Sequence, residues 1–154
     1  MQARTVTRFA GLAALALLAF LAACAGERPG DLGVRDGRLA PCKPTPNCVA
    51  SQADPADAGH HIAPIVFRTD ATAAWAALVD AVSRSERAVI VAERPGYLHA
   101  EFSSRVLGFV DDVEFQLAGA KLHVRSASRL GRGDFGVNRA RIEAIRARLA
   151  AAGV

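Results

Sequence analysis

The stretch VDDVEFQLAGAKLHVRSAS, residues 110–128, indicates the architecture of the protein. It contains two runs in which apolar and polar side chains alternate, and Gly119-Ala120 separates them. Alternation with period two predicts half-buried strands, and a two-residue turn containing glycine predicts an antiparallel hairpin. The predicted cross-strand pairs are Leu117 with Leu122, Phe115 with Val124, Val113 with Ser126, Glu114 with Arg125, and Gln116 with His123.

Two earlier segments, AVIVAE and YLHAEFSS, alternate in the same way and are joined by Pro95-Gly96. Short connections predict that neighbouring strands run antiparallel. The segment HIAPIVF adds a candidate edge strand, because Pro64 removes one hydrogen-bond donor. The pattern gives the sheet one apolar face, composed of Val89, Val91, Leu98, Ala100, Phe102, Val113, Phe115, Leu117, Leu122 and Val124.

The other face of the predicted sheet carries ionisable side chains: His99, Glu101, Asp112, Glu114, His123 and Arg125. These residue types also serve in acid–base catalysis. Charged pairs on neighbouring strands are, however, the common content of a sheet face that contacts water. We therefore expect this polar face to be solvated.

Two helices are predicted to cover the apolar face. Thr69 or Asp70 can cap the first, whose apolar stripe consists of Trp75, Leu78, Val79 and Val82. The second runs from about Val137 to Ala151 and brings together Ile142, Ile145 and Leu149. The predicted fold class is α+β: a two-layer sandwich with a mostly antiparallel sheet of four to five strands and two helices packed on one face.

The N-terminus has the order of an export signal. Arg4 and Arg8 precede the apolar run Phe9–Ala23, which is too short to span a bilayer comfortably. The end of the run, LAAC, resembles a bacterial lipobox, which predicts a signal peptide over residues 1–23 and a lipid on Cys24, the membrane anchor. An ordinary secretory cleavage site beside a chance cysteine is the alternative. Because Ala25 is not aspartate, the expected location is the periplasmic face of the outer membrane.

Residues 24–38 are rich in glycine and charge and lack apolar periodicity, which predicts a tether. Residues 39–154 then form a single globular domain. Cleavage would remove Arg4 and Arg8 from 19 basic residues and leave 17 against 15 acidic residues. So small an excess, without aromatic side chains among the basic ones, gives no support to a nucleic-acid partner, and we set that class aside.

The segment PCKPTPNCVAS holds Cys42 and Cys48. In an exported chain, a close even pair of cysteines predicts a disulfide. The alternative is a metal site that adds His60 and His61, but this spacing matches no standard zinc site. We expect neither a metal nor a cofactor.

The segment RSASRLGRGDFGVNRAR, residues 125–141, has the glycine spacing of a dinucleotide-binding turn. Such a site needs a parallel strand and an acidic residue about 20 positions further on, and only 18 residues follow Gly136. A simpler anion site at the start of the last helix remains, unless Asp134 itself occupies that helix end. The candidate anion-binding residues are Arg125, Arg129, Arg132, Asn138 and Arg139.

Five further residues are expected to have either a structural role or a role in the site: Asp111, Asp112, Ser126, Ser128 and Asp134. Arg129, or the amides at the start of the last helix, is expected to neutralise a buried Asp111. The predicted register puts Asp111 and the two serines on the helix-covered face, opposite His99 and His123. A Ser-His-Asp triad would need both faces at once.

Three segments, PCKPTPNCVAS, FVDDVEF and RSASRLGRGDFGVNRAR, resemble the signatures of domain-of-unknown-function family 1499 over about residues 39–148. Lys43 and Ala50 depart from the residues usual in that family. The family has no established activity, so the resemblance does not predict a reaction. It does imply an exported envelope protein, because many members look like lipoproteins.

Three functional classes follow from the sequence. The first is a lipid-anchored binding module that holds an anionic small molecule, lipid headgroup or cell-wall fragment near Arg129 and Arg139. The second is a structural or protein-interaction lipoprotein without a ligand. The third is a hydrolase that uses Asp111 and neighbouring polar groups.

Overall fold

The computed structural model describes residues 25–154, and its strands form one open antiparallel sheet. The elements are β1 (Cys48–Ala50), β2 (Ile65–Val66), α1 (Ala71–Ser83), β3 (Ala88–Arg94), β4 (Tyr97–Ser103), β5 (Val110–Ala118), β6 (Lys121–Ser128) and α2 (Val137–Ala151). The strand order is β1-β6-β5-β4-β3, and β2 also pairs with β6. The α+β class is confirmed, with six strands, because the cysteine segment contributes β1.

The β5–β6 hairpin has the register that the alternation predicts. Glu114 lies opposite Arg125 and Phe115 opposite Val124, and the other three predicted pairs are also present. Gly119 adopts a φ of +58°, a left-handed conformation that glycine reaches without a steric penalty. The short turn fixes the register, and the register fixes which side chains share a face.

The two helices pack on the apolar face of the sheet and against each other. Asp70 caps α1 by accepting hydrogen bonds from the amides of Thr72 and Ala73. The buried side of α1 is rotated slightly from the predicted stripe, because Ala74 and Ala81 join Leu78 and Val82 in the core. Trp75 lies at the edge of the core, and its indole N–H donates to Glu93 at 3.1 Å.

Strand β3 differs from the prediction. Its register shifts between Ile90 and Ala92, so the strand does not alternate uniformly between faces. Ala88 and Ile90 pack against the core, whereas Val89 lies opposite Glu101 and is 63% exposed. The assignment of Val89 to the apolar face is therefore wrong, and Val91 falls within the irregularity.

The expectation of a solvated polar face is also wrong. Residues 28–38, which we call the N-terminal strap, lie across that face. The Gly33 amide donates to Glu114 at 2.7 Å, and the side chain of Gln116 donates to the Gly37 carbonyl at 2.9 Å. Buried beneath or beside the strap are His99, Asp112, Glu114, Gln116 and Arg125. Whether residues 24–38 also act as a tether stays a prediction.

Candidate functional site

The start of α2 holds a carboxylate from its own loop. Asp134 accepts hydrogen bonds from the amides of Gly136 and Asn138, each at 2.9 Å. Burial acts to raise the pKa of Asp134, but these two amide bonds and a hydrogen bond from the Asn138 side chain together outweigh burial and lower that pKa. The helix end that would attract an external anion is therefore occupied by Asp134, the alternative that the sequence left open.

Asn138 lies fully buried beneath this helix end and joins three segments of the chain. Its side-chain amide donates to the Asn47 carbonyl and to Ser128, both at 3.0 Å, and its oxygen accepts from Ser126. Asn138, Ser126 and Ser128 thus form a structural link between α2, β6 and the segment before β1.

Asp111 pairs with Arg141, whose Nη2 donates to Oδ2 at 2.6 Å. The same guanidinium lies over the Phe102 ring, 4.7 Å from its centre. The expected pairing of Asp111 with Arg129 is wrong for a reason that the register supplies. Asp111 lies opposite Ser128 on the helix-covered face, and Arg129, the next residue, points to the other face.

On that polar face, Arg129 binds Asp112 through two hydrogen bonds, each 2.8 Å long, and also contacts Glu101. Arg28 of the strap donates to Glu101 as well, at 2.6 Å, and His99 Nε2 lies 2.8 Å from Asp112 Oδ1. Burial acts to raise the pKa of both carboxyl groups and is the largest single effect. The hydrogen bonds and charge of Arg129, joined by those of Arg28 at Glu101 and His99 at Asp112, together outweigh burial and lower both pKa values.

This cluster has the composition of a metal site, since ligand atoms of His99, Glu101 and Asp112 lie within 4.8 Å of one another. Arg129, however, donates to both carboxylates and supplies the positive charge that a metal would bring. A cation would have to displace a buried guanidinium. The cluster is better explained as an ion-pair network.

Arg125 lies between the strap and β6 and donates to Glu114 at 3.1 Å. Its Nε has no hydrogen-bond partner among residues 25–154, although it is buried. A recess of about 30 Å³ lies beside it, lined partly by Lys43, Asp112 and Arg129. A recess of this size accommodates about one water molecule, so it does not hold a larger ligand as it stands.

The remaining candidate arginines lie elsewhere. Arg139 donates to the carbonyls of Ala58 and Gly59 at 3.0 and 3.2 Å. Arg132 is exposed in the loop between β6 and α2. The structure therefore places only Arg125 and Arg129 of the five candidates together, beside the small recess.

A much larger cleft of about 580 Å³ separates the strap from the loop after β1. This volume lies within the usual range of small-molecule sites. Its apolar lining is Leu39, Ala40, Pro41, Cys42, Ala50 and Ala53. Its charged lining is Asp31, Arg35, Asp36, Arg38, Asp54, Asp57 and His60.

The strap presents two arginines to this cleft from a tight hairpin. The backbones of Arg35 and Arg38 exchange hydrogen bonds of 2.9 and 3.0 Å, so the two side chains lie on one face. Asp36 and Gly37 form the turn with φ of +51° and +73°. The dipeptide Asp-Gly is a strong hairpin signal, and it was the one sequence feature that could have revealed this element.

Neither arginine of the hairpin pairs with a carboxylate among the described residues. The Nη2 of Arg35 donates to the Gly30 carbonyl at 2.7 Å, and that of Arg38 donates to the Gln52 carbonyl at 2.6 Å. Each guanidinium therefore keeps further donors free for a ligand. Across the cleft, a hydrogen bond to Asp57 raises the pKa of His60, although burial opposes the shift.

A serine and a histidine meet next to this cleft. Ser51 Oγ lies 3.1 Å from His123 Nδ1 and accepts a hydrogen bond from the Val124 amide at 2.9 Å. Burial, with the positive charges of Lys121 and Arg38, lowers the pKa of His123. Ser51 is itself buried and does not line the cleft, so the pair does not provide an exposed nucleophile.

The predicted disulfide is confirmed, because Cys42 and Cys48 are bonded to each other. Neither thiol is then free for the alternative metal site with His60 and His61. Cys24 and the predicted signal peptide lie outside the described residues. Within residues 25–154, no helix is long and apolar enough to cross a bilayer.

The fold and its polar network define a small α+β domain whose buried ionisable residues pair with one another or with Arg129. The family described as "Protein of unknown function (DUF1499)" matches residues 38–149. This match covers most of the chain, and the protein therefore belongs to that family. A comparison with curated proteins finds no match.

Proposed function

We propose that the protein is a lipid-anchored protein of the bacterial cell envelope whose cleft binds a small molecule through one anionic group. The anchor is the lipid on Cys24, and the expected position is the periplasmic face of the outer membrane. The site differs from the one that the sequence suggested. The proposed binding residues lie in the strap hairpin and not at the start of α2, because Asp134 occupies that helix end.

The observation that carries this proposal is the side-by-side position of Arg35 and Arg38 at the cleft. Like charges directly opposite each other on paired strands are destabilising. Their guanidinium groups have no carboxylate partner among the described residues that would relieve this repulsion. A carboxylate or phosphate bound between them would relieve it and would gain charge-assisted hydrogen bonds.

The rest of the lining limits the ligand further. Asp31, Asp36 and Asp54 also line the cleft, so a ligand with several negative charges would be repelled. The apolar wall around Pro41 suits an uncharged portion of the ligand. A lipid headgroup and a cell-wall fragment both combine one acidic group with a larger neutral portion.

Ligand-dependent thermal unfolding of the full chain in detergent tests the cleft. The probes are inorganic phosphate, glycerol 3-phosphate and N-acetylmuramyl dipeptide, each compared with sodium chloride at equal ionic strength. A ligand present at one hundred times its Kd stabilises a protein by about 2.7 kcal/mol. The probe that gives the largest stabilisation distinguishes the free anion, the headgroup and the wall fragment.

Two double variants test the role of the arginines. The first combines Arg35→Gln with Arg38→Gln, and the control, which removes the same amount of charge, combines Arg84→Gln with Arg94→Gln. We expect the first pair to abolish the ligand effect and to leave the unliganded Tm unchanged or raised. The control pair, remote from the cleft, should keep the full ligand effect. Equal stabilisation of both double variants would show that the anion binds elsewhere.

The anchor has a separate test. The wild-type chain should partition into the detergent phase, and Cys24→Ser should accumulate as an uncleaved precursor. Recovery of that variant as a processed protein in the aqueous phase would contradict lipid attachment at Cys24.

A further inference from the structure

Exposed apolar side chains are concentrated at one end of the sheet. Among residues 25–154, nine large apolar side chains are exposed, and six of them lie in or beside the β4–β5 and β6–α2 loops. These six, which we call the apolar end, are Val106, Leu107, Phe109, Leu130, Phe135 and Val137.

The strand register brings the two loops together. Asp111 lies opposite Ser128, so β5 begins where β6 ends. Just beyond this pair, the Arg129 amide donates to the Val110 carbonyl at 3.1 Å. The residues that follow or precede these positions, including Phe109 and Leu130, therefore share the same end of the molecule.

Phe135 is the most prominent of these side chains. It is fully exposed, at 106% of its reference area, and its φ is +53°. A bulky residue seldom adopts this left-handed conformation, because its side chain crowds the backbone there. Neither burial nor backbone preference explains a phenylalanine here, whereas insertion into an apolar surface does.

The chain also enters the described structure at this end. Gly26 packs against Leu130, so closely that a Cβ on Gly26 would lie 3.0 Å from Leu130 Cγ. Cys24 is only two residues earlier, and one residue spans at most about 3.6 Å. A lipid on Cys24 would therefore enter the bilayer beside Leu130.

The charges around the apolar end fit an anionic surface. Arg105 and Arg132 are both exposed, one in each loop, and neither pairs with a carboxylate among the described residues. The carboxylate of this loop, Asp134, is directed to the amides of α2. Glu27 is the exposed acid nearest to the anchor position in sequence. Basic side chains next to apolar ones are typical of a surface that binds anionic lipids.

We propose that the apolar end docks on a bilayer that contains anionic lipid, with Phe135 and Leu107 inserted into the headgroup region. The proposal rests on the anchoring part of the proposed function and is independent of the cleft. The lipid on Cys24 holds the protein at the membrane, and the apolar end fixes how the domain is oriented there.

Depth-dependent quenching tests the docking. The full chain is purified from the membrane fraction and reconstituted into vesicles of phosphatidylethanolamine and phosphatidylglycerol that contain brominated acyl chains. The reporter variant is Phe135→Trp, and the control variant is Val66→Trp. Val66 is 60% exposed and lies opposite Lys121, at the other end of β6, about 30 Å from the apolar end.

We expect the indole introduced at position 135 to lose about half of its emission, because an interfacial side chain lies within reach of the acyl chains. The indole at position 66 and the native Trp75 should lose almost none. Adding Arg105→Gln and Arg132→Gln to the reporter variant should weaken the quenching, as should replacing phosphatidylglycerol with phosphatidylcholine.

Equal quenching at positions 135 and 66 would overturn the proposal, even if the chain stays with the vesicles. Lack of quenching combined with a dimer in detergent would assign the apolar end to self-association instead. Release of the chain from the vesicles would overturn both the anchor and the docking, whereas loss of ligand binding alone would leave the docking intact.

Discussion

Asp112 and Arg129 form a two-point ion pair beneath the N-terminal strap, with both hydrogen bonds 2.8 Å long. The side chains are 1% and 6% exposed, so the Asp112 charge is compensated by Arg129 rather than by water, and Arg129 is shared with Glu101. Removal of one partner of such a pair leaves an uncompensated buried charge. We expect Arg129→Ala to lower the free energy of unfolding by about 3 kcal/mol or more.

Urea unfolding at pH 7 measures this effect, and Arg132→Ala is the matched control. Arg132 is exposed in the next part of the same loop, so its replacement should change stability by less than about 0.5 kcal/mol. Similar small losses for both variants would mean that Asp112 is compensated without Arg129.

The second prediction concerns Glu114, which is fully buried and binds three groups. It accepts hydrogen bonds from Gly33, Tyr97 and Arg125. Glu114→Gln should remove the charge that compensates Arg125 and should lower the free energy of unfolding by about 3 kcal/mol. This loss is far larger than the coupling of less than 1 kcal/mol expected for a solvated pair.

Hydrogen exchange at the Gly33 amide provides a second, independent measurement on the Glu114→Gln variant. Hydrogen exchange at Gly33 should be protected in the wild type and should accelerate in Glu114→Gln, because the neutral amide oxygen is a weaker acceptor for the Gly33 amide than the carboxylate. Glu143→Gln is the control, since Glu143 forms only a surface pair with Arg146. Unchanged exchange at Gly33 would contradict the position of the strap.

The third prediction concerns the disulfide between Cys42 and Cys48, which closes a short loop. Replacement of both cysteines by serine should lower the free energy of unfolding by about 2 kcal/mol, because the loop entropy gained by the unfolded chain is small. Cys42 also lines the cleft, so ligand-dependent stabilisation should weaken in the same variant. Thiol labelling of the unreduced protein would contradict the bond.

The fourth prediction is a loss of stability in acid. The pKa values of Glu101, Asp112 and Asp134 are lowered in the folded protein from ordinary values of 4.5, 3.8 and 3.8, because hydrogen bonds to the ionised carboxylates outweigh burial. A lowered folded pKa contributes stability that is present above the unfolded value and is lost as pH falls through the folded value.

The urea midpoint should therefore decrease as the pH falls below about 4.5, and it should continue to decrease below 3.8. Asp134→Asn should make this decrease shallower, because one of the three contributing carboxyl groups is absent. An identical slope in that variant would show that Asp134 does not contribute.

Asp111 and Asp112 lie on opposite faces of the sheet, and both positions could be predicted from the sequence. The hairpin register followed from alternation and a two-residue turn, and it was correct at every predicted pair. In the same register Asp112 lies opposite Ala127. Arg129 is two residues after Ala127 and therefore points to the same face as Asp112. That pairing was therefore available from the sequence, although the prediction joined Arg129 to Asp111.

The α+β class, the central hairpin, the helix over residues 137–151 and the disulfide could all be predicted from the sequence, because each depends on periodicity or on residues close together in the chain. The burial of the polar face, in contrast, depends on contacts between distant segments. Its cover comes from contacts such as Gly33 with Glu114, which are 81 residues apart. No local pattern encodes such a contact, because a glycine-rich charged segment has the same composition whether it is solvated or packed on a sheet. For the same reason, the cleft between the strap and the loop after β1 exists only in the folded chain.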